Sequence, residues 1–254
     1  GLGDVYKRQV KDERVEVLDL ESDIVVYHPA DHRLLLCDSL QKKDRFETFP
    51  AFSPDGRTLY FCSAEAKKIP EEYKEIRYNL CSIDFDPSAG TFGSRIDTLV
   101  NAEALGKSVS FPRPSYDGKY IMFTLSDYGN FSIWHKEANL WLLDLTSGDL
   151  RELSEVNSDD TESFHNWSSN SRWFVFSSRR GDGLYTRLYL ASMDENGKIS
   201  KPFLLPQEDT ETYYDRSVYS YNVPDFTSEP IKIDTRVFEK KITSKERIQV
   251  QAKK

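Results

Sequence analysis

A short hairpin that returns three times limits this chain more than any other feature. The first copy is Phe49-Pro50-Ala51-Phe52-Ser53-Pro54-Asp55-Gly56-Arg57-Thr58-Leu59-Tyr60-Phe61. Pro54 presets one backbone angle, Asp55 bonds its own backbone and Gly56 tolerates a positive φ, so the centre reads as a tight turn. Leu59, Tyr60 and Phe61 then resume a β-favouring run. The second copy runs from Phe111 to Phe123 through Asp117-Gly118, and the third from Phe164 to Phe176 through Ser169-Asn170-Ser171. Turns that recur at intervals of about fifty to sixty residues are the mark of a repeat architecture.

Each copy is followed by a second hairpin. These are Asn79–Phe85 with a strand near Arg95–Val100, Asn139–Leu145 with Leu150–Leu153, and Leu188–Met193 with a strand ending near Leu205. Two hairpins per repeat make four antiparallel strands, the content of one propeller blade. The expected fold is therefore all-β, a β-propeller with blades over 46–100, 108–154 and 161–206. Residues 10–45 read as a partial blade, with strands at Val15–Leu20, Asp23–Tyr27 and Arg33–Cys37. Residues 207–240 read as a closing segment, in which Ile231–Phe238 alternates like an edge strand, and 241–254 as a flexible tail. Residues 1–9 match no strand of the repeat and read as an artefactual leader, so the chain is expected to be the C-terminal part of a longer protein.

The chain has 254 residues, 38% of them hydrophobic and 13% aromatic, which suffices for the core of one all-β domain. A formal net charge of −8 disfavours nonspecific nucleic-acid binding. No apolar run is long enough to span a bilayer as a helix. Cys37, Cys62 and Cys81 are too few and too scattered for a disulfide framework or a zinc site. Cys62 and Cys81 fall on strands expected to be neighbours, where a cross-strand disulfide competes with the plainer reading of two small buried hydrophobes.

The Phe52-Ser53-Pro54-Asp55-Gly56-Arg57-Thr58-Leu59-Tyr60-Phe61 run is similar to the PD40, or WD40-like, repeat of TolB-type propellers. Tyr116–Phe123 keeps most of it, and the third copy departs by putting Ser169-Asn170-Ser171 in place of Pro-Asp-Gly. The resemblance covers about residues 20–226 and looks closest to the cell-envelope propellers of Bacteroidetes, including Phe203-Leu204-Leu205-Pro206 and Ser220-Tyr221-Asn222-Val223-Pro224. It implies a ring of usually six blades and a periplasmic or outer-envelope location. It speaks for fold and poorly for function. A chain with three blades and a remnant leaves strand edges open, and poor solubility of the isolated chain is expected from that.

Catalytic signatures are sparse. No Gly-x-Ser-x-Gly elbow and no phosphate-cradling glycine loop occurs. His28 and His32 have a metal-like spacing, but Pro29 argues against the helix that would align them, and a solvated turn is the simpler reading. Glu47, Glu162 and His165 fall on inner strands and are expected to line the central channel; a hydrophilic lining explains the two carboxylates as well as a cation site does, and a structural hydrogen-bonding histidine is the default for His165. No catalytic residue, metal site or cofactor is expected. Arg180-Gly181-Asp182 spells an adhesion tripeptide, and Gly181-Asp182-Gly183 is equally a plain turn.

The inserts between the two hairpins of each blade, Ser63–Tyr78, Leu125–Ala138 and Ser177–Arg187, share one rim. Pro70 begins a possible helical turn in the first. Tyr128, Phe131, Trp134, His135, Arg179, Arg180 and Tyr185 form an aromatic and basic set there. Such residues anchor interfaces and stack on sugar rings, and they equally fold back to cap a blade; both readings stand. The expected function is a noncatalytic scaffold of the cell envelope that binds a protein or glycan partner through this rim, with no nucleic acid and no membrane span. The alternative is the propeller of a prolyl-oligopeptidase-like peptidase whose hydrolase domain is not in this chain. A third reading, metal-assisted chemistry in the channel, needs a bound metal.

Overall fold

The computed structural model describes residues 17–209 and 212–253. The expected leader at 1–9 and the start of the Val15–Leu20 strand lie outside them, and 17–20 take no regular structure.

Three four-stranded antiparallel sheets follow one another along the chain. The first pairs β3 (Arg45–Phe52), β4 (Thr58–Glu65), β5 (Asn79–Asp86) and β6 (Thr91–Val100) in that order. The second runs through β7 (Ser108–Pro114), β8 (Tyr120–Ser126), β9 (Asn139–Asp144) and β10 (Leu150–Glu152). The third uses β11 (Glu162–Trp167), β12 (Trp173–Ser178), β13 (Arg187–Ser192) and β14 (Phe203–Leu204). Ahead of them lies a hairpin of β1 (Val26–His28) and β2 (Arg33–Leu35), against which β15 (Gln251–Lys253) runs parallel. Sequential four-stranded meanders packed face to face are propeller blades, and the fold is a β-propeller arc.

The cores lie between blades, because the second strand of each sheet is buried on both faces. On β4, Tyr60, Cys62 and Ala64 face the second blade and meet Val109, Ile121, Phe123 and Leu125, while Leu59 and Phe61 face the preceding hairpin and meet Ile24 and Leu40. On β8, Met122 turns the other way with Tyr120 and Thr124, joining Trp167, Phe174 and Phe176 of the third blade. This period of two explains why β4 and β8 read as continuous apolar runs. Fully buried Phe61, Phe123, Phe174 and Phe176 each contribute roughly 1.5–3 kcal/mol relative to exposure.

The same alternation separates the cysteines. Cys62 pairs with Leu80 and Cys81 with Phe61, so the two thiols face opposite sides of the sheet and fall in different cores. All three cysteines are free, which removes the expected alternative of a cross-strand disulfide.

The turns repeat in atomic detail. Ser53 Oγ donates to Asp55 Oδ1 (2.6 Å), which also accepts from Arg57 N–H (3.0 Å). Asp117 is held in the same way by Ser115 and Lys119. In the third copy Asn170 Oδ1 accepts from Ser168 Oγ (2.6 Å) and Arg172 N–H (2.9 Å), so the amide performs the aspartate's task. Ser171 takes φ 56° where Gly56 and Gly118 take 69° and 71°. Its hydroxyl accepts the Asp117 N–H of the neighbouring blade (2.9 Å), a bond glycine cannot supply.

A second repeat was not apparent in the sequence. Each inner strand carries a bulge, between Thr48 and Ala51, Ser110 and Arg113, and Ser163 and Asn166. At each bulge a phenylalanine has positive φ: Phe49 at 52°, Phe111 at 56° and Phe164 at 46°. Positive φ costs a non-glycine residue of order 1 kcal/mol, and burial of the rings against one another offsets it.

The C-terminal region departs from expectation. Ile231–Phe238 forms no edge strand; Asp234 accepts from Arg236 N–H through its carboxylate and from Val237 N–H through its carbonyl, starting α2 (Arg236–Thr243). Upstream, α1 (Tyr213–Arg216) docks on the third blade, where Tyr214 Oη donates to Leu205 O (2.6 Å). The buried Arg187 donates to the carbonyls of Tyr219 and Ser217. No helix among the described residues is long and apolar enough to cross a membrane, which leaves β-barrel spanning unaddressed.

Candidate functional site

The three bulges place Phe49, Phe111 and Phe164 in a ladder, with successive ring centroids 4.6 Å apart. Above the ladder, on the side of the long inserts, opens a cleft of about 220 Å³. Phe46, Tyr78, Ile76 and Phe131 add apolar wall, and Asp19, Thr48, Asn130 and Ser132 add polar residues to the lining. Apolar walls with a few convergent polar groups are the usual make-up of a binding cleft.

The second blade's insert forms one side of this cleft. Gly129 donates its N–H to Ile76 O (2.9 Å), and a Cβ there would stand 2.5 Å from Tyr78 Cε2, so only glycine permits the approach. Phe131 takes φ 47° and leads into a 3-10 turn at Ser132–Trp134, whose buried Ser132 hydroxyl donates to Ser110 Oγ (3.2 Å). A short 3-10 turn in the first insert falls at Tyr73–Glu75, three residues beyond Pro70.

Of the expected rim residues, Phe131 alone lines the cleft. Tyr128 is sandwiched between Tyr73 (5.8 Å) and the buried His135 (4.1 Å), tying the first insert to the second. The buried Arg179 lies over the Trp134 ring at 3.8 Å and donates to Leu184 O (2.7 Å), tying the second insert to the third. Tyr185 lies under the Arg187 guanidinium at 5.1 Å. Arg180 reaches inward to Glu162 (2.9 Å) and packs over Tyr189 at 4.6 Å. Cation–π and ring contacts of this kind each contribute roughly 0.5–2 kcal/mol; Tyr73–Tyr128 and Arg179–Trp134 bind insert to insert, and those of Arg180 and Tyr185 stay within the third blade.

The expected channel residues are all buried. Glu162 is fully enclosed and accepts from Ser158 Oγ (2.6 Å), Ser178 Oγ (2.9 Å) and Arg180 Nη2 (2.9 Å), with Ser158 N–H on its other oxygen (3.1 Å). Burial pushes its carboxyl up, and these donors oppose the shift. Glu47 occupies the equivalent place beside Ser63, but Glu65 stands where Arg180 would, and Glu47 Oε2 has no partner among the described residues. Burial, with Asp23 adding and Arg45 opposing, raises its carboxyl to about 7. His165 is held neutral, its pKa lowered to about 3 by burial, and its Nε2–H donates to Met122 O (2.9 Å). These groups are structural fixtures of the inner strands in this arrangement.

His28 and His32 do not converge: His28 bonds Asp31 (2.6 Å) and His32 bonds Tyr27 Oη (2.5 Å) in an exposed turn. Among the described residues no group of three or more His, Cys, Asp or Glu is placed to hold a metal ion.

No protein-family profile and no curated protein matches this chain. Solved structures do. TolB from Acinetobacter baumannii is similar over 73% of this chain and 41% of its own, at 18% identity and a TM-score of 0.41. The β-propeller domain of the Trilobed protease from Pyrococcus furiosus is similar over 65% of this chain and 44% of its own, at 16% identity and 0.37. A puromycin-hydrolyzing peptidase of Mycobacterium tuberculosis is similar over 76% and 30%, at 15% identity and 0.45. The chain thus spans less than half the length of each of these proteins. At such identities the likeness concerns the fold alone.

Proposed function

We propose that this protein is a noncatalytic binding propeller of the cell envelope, which engages a protein or glycan partner at the cleft above the phenylalanine ladder. The observation that carries the reading is the cleft itself: an aromatic floor from three blades, Phe131 at one wall, and polar residues in the lining. Rings of this kind bury large area at low entropy cost and stack on either proline or sugar rings. The envelope location and the PD40 character of the repeat rest on the resemblance carried by Phe52–Phe61 and Tyr116–Phe123. Support for a rigid scaffold comes from the insert-to-insert contacts of Tyr128, Trp134 and Arg179, which fix the cleft's walls.

The test is capture from a periplasmic and envelope extract by the immobilised full chain, followed by identification of the retained component. Phe131→Ala is expected to reduce capture at least about tenfold, whereas Leu184→Ala, at an exposed tip of the third insert, leaves it unchanged. Equal capture by both variants, or peptide hydrolysis by the purified chain, overturns the reading.

A further inference from the structure

The segment after the third blade repeats the inner-strand pattern once more. Val223 has φ 52°, as Phe49, Phe111 and Phe164 have. Two residues earlier, Tyr221 N–H donates to Thr186 O (3.1 Å), as Val109 does to Tyr78 O (2.9 Å) and Glu162 to Ala138 O (2.8 Å). Ser177 Oγ donates to Tyr221 O (2.9 Å), as Thr124 Oγ1 does to Glu162 O (3.3 Å). Ser220–Phe226 therefore occupies the place of a fourth inner strand beside the third blade.

Two residues beyond each of these positive-φ positions, the three inner strands and this segment contribute Ala51, Arg113, Asn166 and Asp225. All four line one cleft of about 400 Å³ on the turn side, the side opposite the cleft invoked above, and Phe52 and Tyr116 stand exposed at its border. Asp225 Oδ1 already accepts from Asn166 Nδ2 (2.9 Å) and Phe226 N–H (2.8 Å). The half-buried Arg113 has no such arrangement. Its carbonyl is fixed by Trp167 Nε1–H (3.1 Å), yet its guanidinium makes no hydrogen bond and no ion pair with any described residue. A planar, permanently charged fork held at a concave mouth with its donors unsatisfied is complementary to a planar anion.

We propose that this cleft binds a carboxylate-bearing ligand through Arg113. A single cation matches a single negative charge, and the adjacent Asp225 weighs against a dianion such as phosphate. The exposed Phe52 and Tyr116 rings take the body of the ligand, and the Asn166–Asp225 pair offers acceptors to a neighbouring hydroxyl or amine. The backbone around Arg113 is fixed by the bulge and by Trp167, so little ordering is needed on binding.

Calorimetric titration of the full chain tests this with four probes: N-acetylphenylalanine and its primary amide, and glucuronate and glucose. At least one carboxylate is expected to bind about tenfold or more tighter than its neutral counterpart, and the pair with the larger ratio tells a peptide-type from a sugar-acid source. Arg113→Gln abolishes that ratio while the melting temperature stays near that of the parent chain, and Arg113→Lys, which keeps the charge without the fork, restores part of it. Equal binding of charged and neutral probes, no binding by any of them, tighter binding of inorganic phosphate, or a ratio that survives Arg113→Gln overturns the assignment.

Discussion

Arg180 Nη2 meets Glu162 Oε1 at 2.9 Å at a carboxylate that has no exposed surface, while the equivalent Glu47 in the first blade pairs with Ser63, has Glu65 at the position of Arg180, and makes no ion pair among the described residues. One repeat position thus holds a satisfied ion pair in one blade and an unneutralised acid in another, and the two should respond oppositely to mutation.

Removing the arginine strands a buried charge. Arg180→Ala is expected to destabilise the third blade by about 3 kcal/mol, read as a lower urea midpoint. The double variant Arg180→Ala/Glu162→Gln should recover a large part of that loss. A single variant as stable as the parent chain would show that Ser158 and Ser178 suffice for Glu162.

Glu47 sets a pH dependence of defined sign. Its ordinary pKa is 4.5, and burial in the folded chain raises it to about 7. Between these values the folded protein holds a proton that the unfolded chain has released. Stability therefore falls as pH rises through this window, by up to about 1.4 kcal/mol per pH unit, and this group adds no further slope above it. Glu47→Gln should remove that component and be the more stable form near neutral pH. Denaturation curves of both forms at about pH 5 and about pH 7.5 check this, and parallel changes in the two would contradict it.

Two glycines should tolerate alanine very differently. At Gly56 a Cβ meets nothing within 4 Å, so Gly56→Ala costs only the positive-φ strain, roughly 1–2 kcal/mol. At Gly129 the Cβ collides with the Tyr78 ring, which has to leave the cleft wall. Gly129→Ala should cost about 2 kcal/mol or more and change partner capture, while Gly56→Ala leaves capture alone.

Thiol accessibility follows from the sheet faces. Cys62 is fully buried and its thiol is pushed well up by burial, Cys81 is also raised, and Cys37 is half-buried. Under native conditions an alkylating reagent should modify Cys37 first, and all three only in denaturant. Mass spectrometry before and after reduction should show no change in thiol count.

The blades were legible because turn chemistry is local. Asp55, Asp117 and Asn170 act through bonds to residues two positions away, and the pairs they close are visible in a single sequence. The faces of β4 and β8 were less legible, since burial on both sides erases the alternation that would say which core Cys62 or Met122 joins. The rim inserts can be read from the sequence, but the contacts of their residues cannot: Arg179 and Trp134 lie on inserts of different blades, and nothing local encodes their stacking. The segment after the third blade did leave a trace, for Val223-Pro224 follows Phe49-Pro50 and Phe111-Pro112 in form. The tail misled because Ile231, Ile233 and Val237 suggest a strand while Phe238 and Ile242 have helical spacing, and the bonds that Asp234 accepts from Arg236 and Val237 lead the chain into the helix.

Below the ladder of Phe49, Phe111 and Phe164, the hollow bounded by Phe111, Phe164, His165 and Arg113 measures only about 10 Å³, too little for more than about one water. The described blades therefore present one cleft on the insert side and another on the turn side, with the three rings between them. The two clefts share no lining residue, so each can be altered by substitution while the wall of the other is left intact.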